Sequence, residues 1–289
     1  MSNTTPAQRV TSPVHVTYED ESASASLPTT NIWFNSNCNL INNKTCVDCV
    51  KKLVNLNWDS ALTGVGRDTR GLQHNSIRIR GIYHVHSKTL RRNYVLAYLN
   101  TLSRYSLSQE LKDSPIATDS VKPEIQDEPG ARNGLLLNGD AFLYLGADKI
   151  ATSKWIDVDT SVALGRLQLL EGEAFLFHGT DRIAIDSIVQ EGFNLRYCKG
   201  GMFGHPGIYL SDHAQKADQY TDKNERRSTD LYMLVVRVAL GRTEMYEKKK
   251  SGEYYDTIVG GTNNLFREFV KTDTAQLYPE FVVNYDRLN

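Results

Sequence analysis

The sequence predicts an α+β domain, and three observations carry that prediction. Short runs rich in β-branched and aromatic residues dominate from Ala174 onward, at Ala174 to His178, Gly207 to Leu210, Leu231 to Leu240, Phe266 to Val270 and Phe281 to Tyr285. Two short helical stretches interrupt them. Upstream, Ile77, Ile79, Ile82 and Val85 alternate with Arg78, Arg80 and His84, the period of a half-buried strand. A helical period follows at once, with Ser87 as N-cap and Leu90, Tyr94, Ala97, Tyr98 and Leu102 on one face.

The first downstream helix runs from Asp181 to Gln190, with Thr180 as its expected cap and Gly192 as its C-terminal stop. The second begins after Ser211 and carries Ala214 and Ala217 toward Tyr220. Before residue 76 the pattern is weaker. Residues 1 to 30 are rich in Ser, Thr, Ala and Glu and read as a disordered leader. Residues 31 to 75 hold Trp33, Val50, Leu53, Val54 and Trp58 without a clear period, and read as an extension of unknown role, either a small subdomain or a flank on the main core. The main domain spans 76 to 289, with an insertion at about 103 to 173 that starts polar and proline-containing and later regains apolar runs.

Composition narrows the function classes. With 289 residues, 33 basic against 34 acidic, the chain has no overall electrostatic pull toward nucleic acid or an anionic membrane, so any nucleic-acid contact has to be local. No apolar run has the length of a membrane span. The polar start MSNTTPAQRVTSP lacks the apolar core of a secretory signal, and four cysteines are too few for a disulfide framework, so a cytoplasmic or nuclear location is expected. Cys46 and Cys49 form a CxxC near Cys38 that offers two thiolates to zinc. A fourth ligand would have to come from His74, His84 or His86, and free, partly buried thiols are the weightier reading; no metal is expected.

The chemistry resides in an ordered set of short motifs. AFLFHGT ends in His178, Gly179 and Thr180; GF follows at Gly192; KGGMFGHPGIYL carries Tyr209; SDHAQKADQY carries Ala217 and Tyr220; NLFREFV carries Glu268. Each is weak alone, since a histidine after an apolar strand is usually structural, a glycine cluster reads first as a turn, and an isolated tyrosine is more often core. The order and spacing together resemble the catalytic domain of poly(ADP-ribose) polymerases, and within that family are similar to tankyrases. IRIRGIYHVHSKTLRRNY, YDTIVGG and QLYPEFVVNY extend the resemblance from about Ser76 to Asn289, less the insertion.

That resemblance implies an ADP-ribosyltransferase fold of two packed, mostly antiparallel sheets with short helices, using NAD⁺ as co-substrate and proteins as acceptors. It implies that Gly179 contacts the nicotinamide carboxamide through its backbone, with Thr180 beside it in the cofactor-binding set. Tyr209 and Tyr220 would sandwich the nicotinamide ring, gaining stacking and cation–π attraction. His178 would bond the adenosine ribose, and Glu268 would be the catalytic carboxylate at the nicotinamide ribose. The residues themselves leave Glu268 and Glu280 evenly matched, because FREFV and YPEFVV both contain E-F-V; the resemblance selects Glu268 and makes Glu280 structural.

Two departures stand out. Ala217 occupies the place of a family serine that bonds the carboxamide, which implies NAD⁺ binding weaker by roughly threefold to tenfold. His205 and Pro206 lengthen the donor loop. Retained Glu268 leans toward polymer formation and leaves single transfer open. A non-catalytic module that binds NAD⁺ or a protein partner is the rival reading. The residues upstream of the domain are too few for the helical autoinhibitory domain of DNA-activated members, so activation by DNA breaks is not expected.

Overall fold

The computed structural model describes residues 37–55, 58, 60–63, 71–107, 172–198, 206–222, 225, 227–246, 255–260 and 266–289. The expected leader and nearly all of the expected insertion lie outside them, as do Gly200, Gly201, Gly204 and His205. In chain order the elements are β1 (Cys38–Leu40), α1 (Lys44–Asn55), β2 (Ser76–Val85), α2 (Lys88–Leu107), β3 (Glu173–Gly179), α3 (Arg182–Glu191), β4 (Ile208–Ser211), α4 (Ala214–Asp218), β5 (Leu231–Ala239), β6 (Thr243–Met245), β7 (Thr257–Gly260), β8 (Glu268–Lys271) and β9 (Leu277–Leu288).

The α+β class holds. The strands form one hydrogen-bonded sheet of nine, ordered β1-β2-β9-β5-β3-β4-β8-β7-β6, antiparallel throughout except for the β6–β7 pair. The two sheets expected from the sequence are thus joined edge to edge, and the join is narrow: β3 meets β4 at one residue pair, Phe177 opposite Ser211. The two halves therefore share almost no backbone ladder and are joined there mainly by side chains.

At the centre lie β5 and β9, whose residues are buried along almost their whole length. The run LYMLVVRVA makes β5 a strand covered on both faces, which is why it lacks polar alternation. β9 carries a proline in this crowded place. The register answers it: Phe281 faces Val235 and Pro279 faces Val236, so Glu280 is the extra residue of a bulge. A bulge accommodates a residue with no amide to donate, and it redirects the residue next to it.

The redirected Glu280 meets Arg237 of β5, whose Nε donates to Glu280 Oε2 at 2.7 Å while Nη1 donates to Glu173 Oε2 at 2.8 Å. Tyr94 of α2 donates its hydroxyl to Glu173 Oε1 at 2.7 Å, and Arg91 Nη1 approaches Glu280 Oε2 at 3.2 Å. Burial by itself would raise the Glu280 carboxyl and lower the Arg237 guanidinium; their mutual attraction outweighs this and moves each the other way. Three strands and one helix are tied by this cluster.

Helix ends follow local chemistry. Ser87 Oγ accepts from Leu90 N at 3.3 Å, as expected for the α2 cap. At α3 the cap is Asp181 and not Thr180, because the Asp181 carboxylate accepts from both Ile183 N and Ala184 N, at 3.0 and 3.2 Å. A charged oxygen one residue later satisfies two amides and complements the helix N-terminus, which a threonine hydroxyl does less well. Gly192 closes α3 with φ of 87°, its N–H bonding Ile188 O at 2.8 Å.

The described residues before β2 form a flank packed on the main core. β1 pairs with β2, and Cys46, Cys49, Val50, Leu53 and Val54 of α1 enter the same apolar cluster as β3, β5 and β9. Cys38 is in that cluster too, and burial pushes its thiol up to about 12, while burial also raises Cys49. These sulfurs act as small apolar groups. Among the described residues no group of His, Cys, Asp and Glu has the arrangement of a metal site.

Lys271 of β8 is fully buried, and its Nζ donates to Ala239 O at 2.7 Å and Thr257 Oγ1 at 3.0 Å. Burial pulls its pKa down from 10.5 to about 7, against the weaker pull of Asp256. Below pH 7 both folded and unfolded chains carry this charge; between about 7 and 10.5 only the unfolded chain binds the proton, so stability rises with pH in that window. Urea midpoints at pH 7 and pH 9 should therefore increase for the native chain and stay flatter for Lys271→Met. Equal slopes would show that Lys271 is charged throughout.

Candidate active site

The expected site residues gather where the two halves of the sheet join. His178 and Gly179 end β3, Tyr209 lies on β4, Glu268 opens β8, Ala217 is in α4, and Tyr220 follows it. Ser211 pairs with Glu268 and Tyr209 with Val270, so Tyr209 and Glu268 share one face of the β4–β8 ladder. Tyr209 is half-buried and leans on Tyr255, Ile258 and Val270, whereas Tyr220 is 43% exposed. One tyrosine is therefore fixed by packing and the other is presented by a turn.

His178 bridges the parting strands. Its Nδ1 lies 2.9 Å from Tyr209 O, and a carbonyl only accepts, so Nδ1 carries the proton. Burial lowers the His178 pKa against the smaller effect of that bond, so the imidazole is neutral at ordinary pH and Nε2 keeps its lone pair. Such a ring is a hydrogen-bond acceptor with a fixed tautomer, suited to a sugar hydroxyl. Phe193, the aromatic of the GF motif, meets the ring edge-on at 5.4 Å and sets its plane.

Gly179 is required for close packing. A Cβ there would come 1.7 Å from Ala217 O, so any side chain would push α4 off the end of β3. Ala217 is 3% exposed and packs into the main apolar cluster, while its carbonyl accepts from Tyr220 N at 3.0 Å. Thr180 sits half-buried between β3 and the Asp181 cap.

One residue absent from the sequence reading links the others. Lys216 Nζ lies 3.2 Å from Glu268 Oε1 and 5.3 Å from the centroid of the Tyr220 ring. Its signal was present, because Lys216 and Tyr220 are four apart and so lie on the same side of a helical turn. Nothing in the sequence placed Glu268 at its tip. Beside it, Arg267 binds Asp212, whose carboxyl burial would raise but which Arg267 and His213 hold down at about 2. Ser211 Oγ donates to Arg267 O at 2.7 Å, which fixes the backbone just ahead of Glu268.

The two competing glutamates are both buried but differently engaged. Glu280 is 1% exposed and surrounded by Arg237, His84 and Arg91, with its oxygens engaged by those three side chains. Glu268 stands at the mouth of β8 with Lys216 against it.

With this geometry in hand, comparison with known families adds that the model of the poly(ADP-ribose) polymerase catalytic domain fits residues 161–261. The matched stretch contains His178, Gly179, Tyr209, Ala217 and Tyr220 and ends before Glu268. Over that stretch the chain is similar to an ADP-ribosyltransferase catalytic domain, and the α+β sheet described above is consistent with that fold.

The difference between the two glutamates is measurable without any substrate. Glu280→Gln should lower unfolding free energy by about 3 kcal/mol or more, because it leaves a buried guanidinium short of its counter-charge, whereas Glu268→Gln, which breaks a single charge-assisted contact to Lys216, should cost less, about 1 to 2 kcal/mol. Chemical denaturation of both variants checks this, and equal losses would contradict the assignment of Glu280 to the framework.

Proposed function

We propose that this protein moves ADP-ribose from NAD⁺ to protein acceptors and releases nicotinamide, in the manner of a tankyrase-like poly(ADP-ribose) polymerase, inside the cytoplasm or nucleus. The observation that carries the reading is the joint placement of an acceptor imidazole, a half-buried tyrosine, an exposed tyrosine and a lysine-held carboxylate at one break in the sheet. The donor set fits the co-substrate: a neutral imidazole for ribose, aromatic faces for a cationic ring, and a carboxylate for a developing positive charge.

NAD⁺ supplies an ADP-ribosyl group joined to nicotinamide through a C–N bond whose electron pair leaves with nicotinamide. Glu268 accepts a hydrogen bond from the adjoining ribose hydroxyl and stabilises positive charge as it builds on the sugar carbon. Lys216 keeps that carboxylate from swinging into solvent. Tyr209 and Tyr220 hold the ring, Gly179 offers its backbone to the carboxamide, with Thr180 next to it, and His178 fixes the far ribose through Nε2. An acceptor carboxylate or hydroxyl then forms the new bond at the sugar carbon, a hydroxyl giving up its proton as it does so.

A second reading is a weakly active or inactive module that binds NAD⁺ or a partner, and Ala217 favours it. Its methyl is buried in the core cluster and supplies no hydroxyl to a carboxamide.

Incubation of purified protein with labelled NAD⁺, followed by size resolution of the products, tests the proposal. Labelled protein and free nicotinamide are expected from the native chain. Glu268→Gln should reduce turnover by roughly 10²-fold or more while NAD⁺ affinity changes by less than about threefold. Absence of nicotinamide release at high enzyme would favour the binding module, and loss of turnover in Glu280→Gln without loss of fold would overturn the choice of carboxylate.

A further inference from the structure

α4 is a helix of five residues, too short to persist by its own hydrogen bonds, yet it carries Lys216 and leads into Tyr220. Something else must fix it. Its inward side presents two polar residues three apart, Gln215 and Asp218, which are 3% and 1% exposed. Asp218 is gripped from β9, where Arg287 Nε donates to Oδ1 at 2.9 Å and Nη2 donates to Asp218 O at 2.6 Å. That grip holds one end only.

Ala214 and Ala217 pack into the main cluster, and further polar contacts come from the flank ahead of β2. Gln215 Nε2 donates to Thr63 Oγ1 at 2.9 Å, and His74 Nε2 lies 3.2 Å from Asp218 Oδ2, a close polar contact without the alignment of a good hydrogen bond. The flank is itself anchored. α1 is packed in the main core, the Trp58 ring lies 5.8 Å from that of His74, and Asn75 N donates to Leu288 O at 2.9 Å.

We infer that Thr63 and His74 are positioning residues of the site: the flank grips α4 from behind and so sets where Lys216 and Tyr220 stand relative to Glu268. Neither residue touches the site itself. The inference rests on the proposed function for the identity of the ligand, since Tyr220 and Lys216 serve the nicotinamide end and His178 the adenosine end. It adds to that reading a role for the segment before residue 76.

Two ligand fragments separate the ends. Nicotinamide and ADP-ribose are each titrated by calorimetry into the full-length native chain and into Thr63→Val, His74→Asn, Thr63→Ser and Val50→Ala. Thr63→Val and His74→Asn should each weaken nicotinamide by roughly threefold to tenfold, with ADP-ribose kept within about twofold. Thr63→Ser should restore native nicotinamide affinity. Val50→Ala, a cavity in α1, should lower the melting temperature and leave both affinities alone.

Should His74→Asn fail to fold, the half-exposed Thr63 still gives the answer. Unchanged nicotinamide affinity in Thr63→Val, or equal loss of both ligands, would overturn the inference while native binding of both fragments leaves the site reading intact. A native chain that binds neither fragment would overturn the site reading, and this inference with it.

Discussion

The buried bridge of Glu173, Arg237 and Glu280 is the constraint on which the rest of the structure depends. A guanidinium in the middle of a sheet is tolerable only with counter-charges in good geometry, since uncompensated burial of any one of the three would destabilise the fold by several kcal/mol. Arg237 sits on β5, Glu173 starts β3, and Glu280 is brought in by the β9 bulge. These are the strands that order the centre of the sheet. Satisfying the three charges therefore fixes their mutual register, and Tyr94 and Arg91 carry the constraint on to α2.

Register at the centre has consequences at the margin. Once β3 is fixed against β5, its last residues His178 and Gly179 fall beside Leu234 and Met233, and β3 retains one paired residue with β4. The strands diverge there, and side chains take over the work of the ladder: His178 reaches the Tyr209 carbonyl, and the missing side chain of Gly179 lets the Ala217 carbonyl approach. A break in a sheet leaves polar backbone and room for a ligand together. The same break explains why the candidate residues come from five separate elements and turns.

Several parts of this arrangement were legible in advance. β2, β3, β4, β5, β8 and β9 are apolar and β-branched, so their existence follows from local pattern; Ser87 and Gly192 are marked by cap chemistry. The motif order supplied His178, Tyr209, Tyr220 and Glu268 as a group. Other parts were not legible. Thr180 and Asp181 are adjacent cap formers, and which one serves depends on which side chain reaches the free amides. The flank before β2 lacks a clear period in its aliphatic and aromatic residues, yet Cys46, Cys49, Val50, Leu53 and Val54 recur at helical spacing and form the buried face of α1. Counting the cysteines as apolar shows that face, but not which surface it covers. Lys216 looks like an ordinary helix lysine until β8 is seen opposite it.

The sequence by itself determined the α+β class, the central strands, the helix that follows β2 and the candidate set of site residues, because these rest on local period, turn chemistry and short ordered motifs. Only the tertiary structure decided which of two identical E-F-V strands places its glutamate among cations in the core, that one continuous sheet joins the two halves, and that the N-terminal flank braces α4. Those outcomes depend on a bulge and on contacts between residues up to two hundred positions apart. No local pattern encodes such a distance, since burial and charge are settled only when the strands meet.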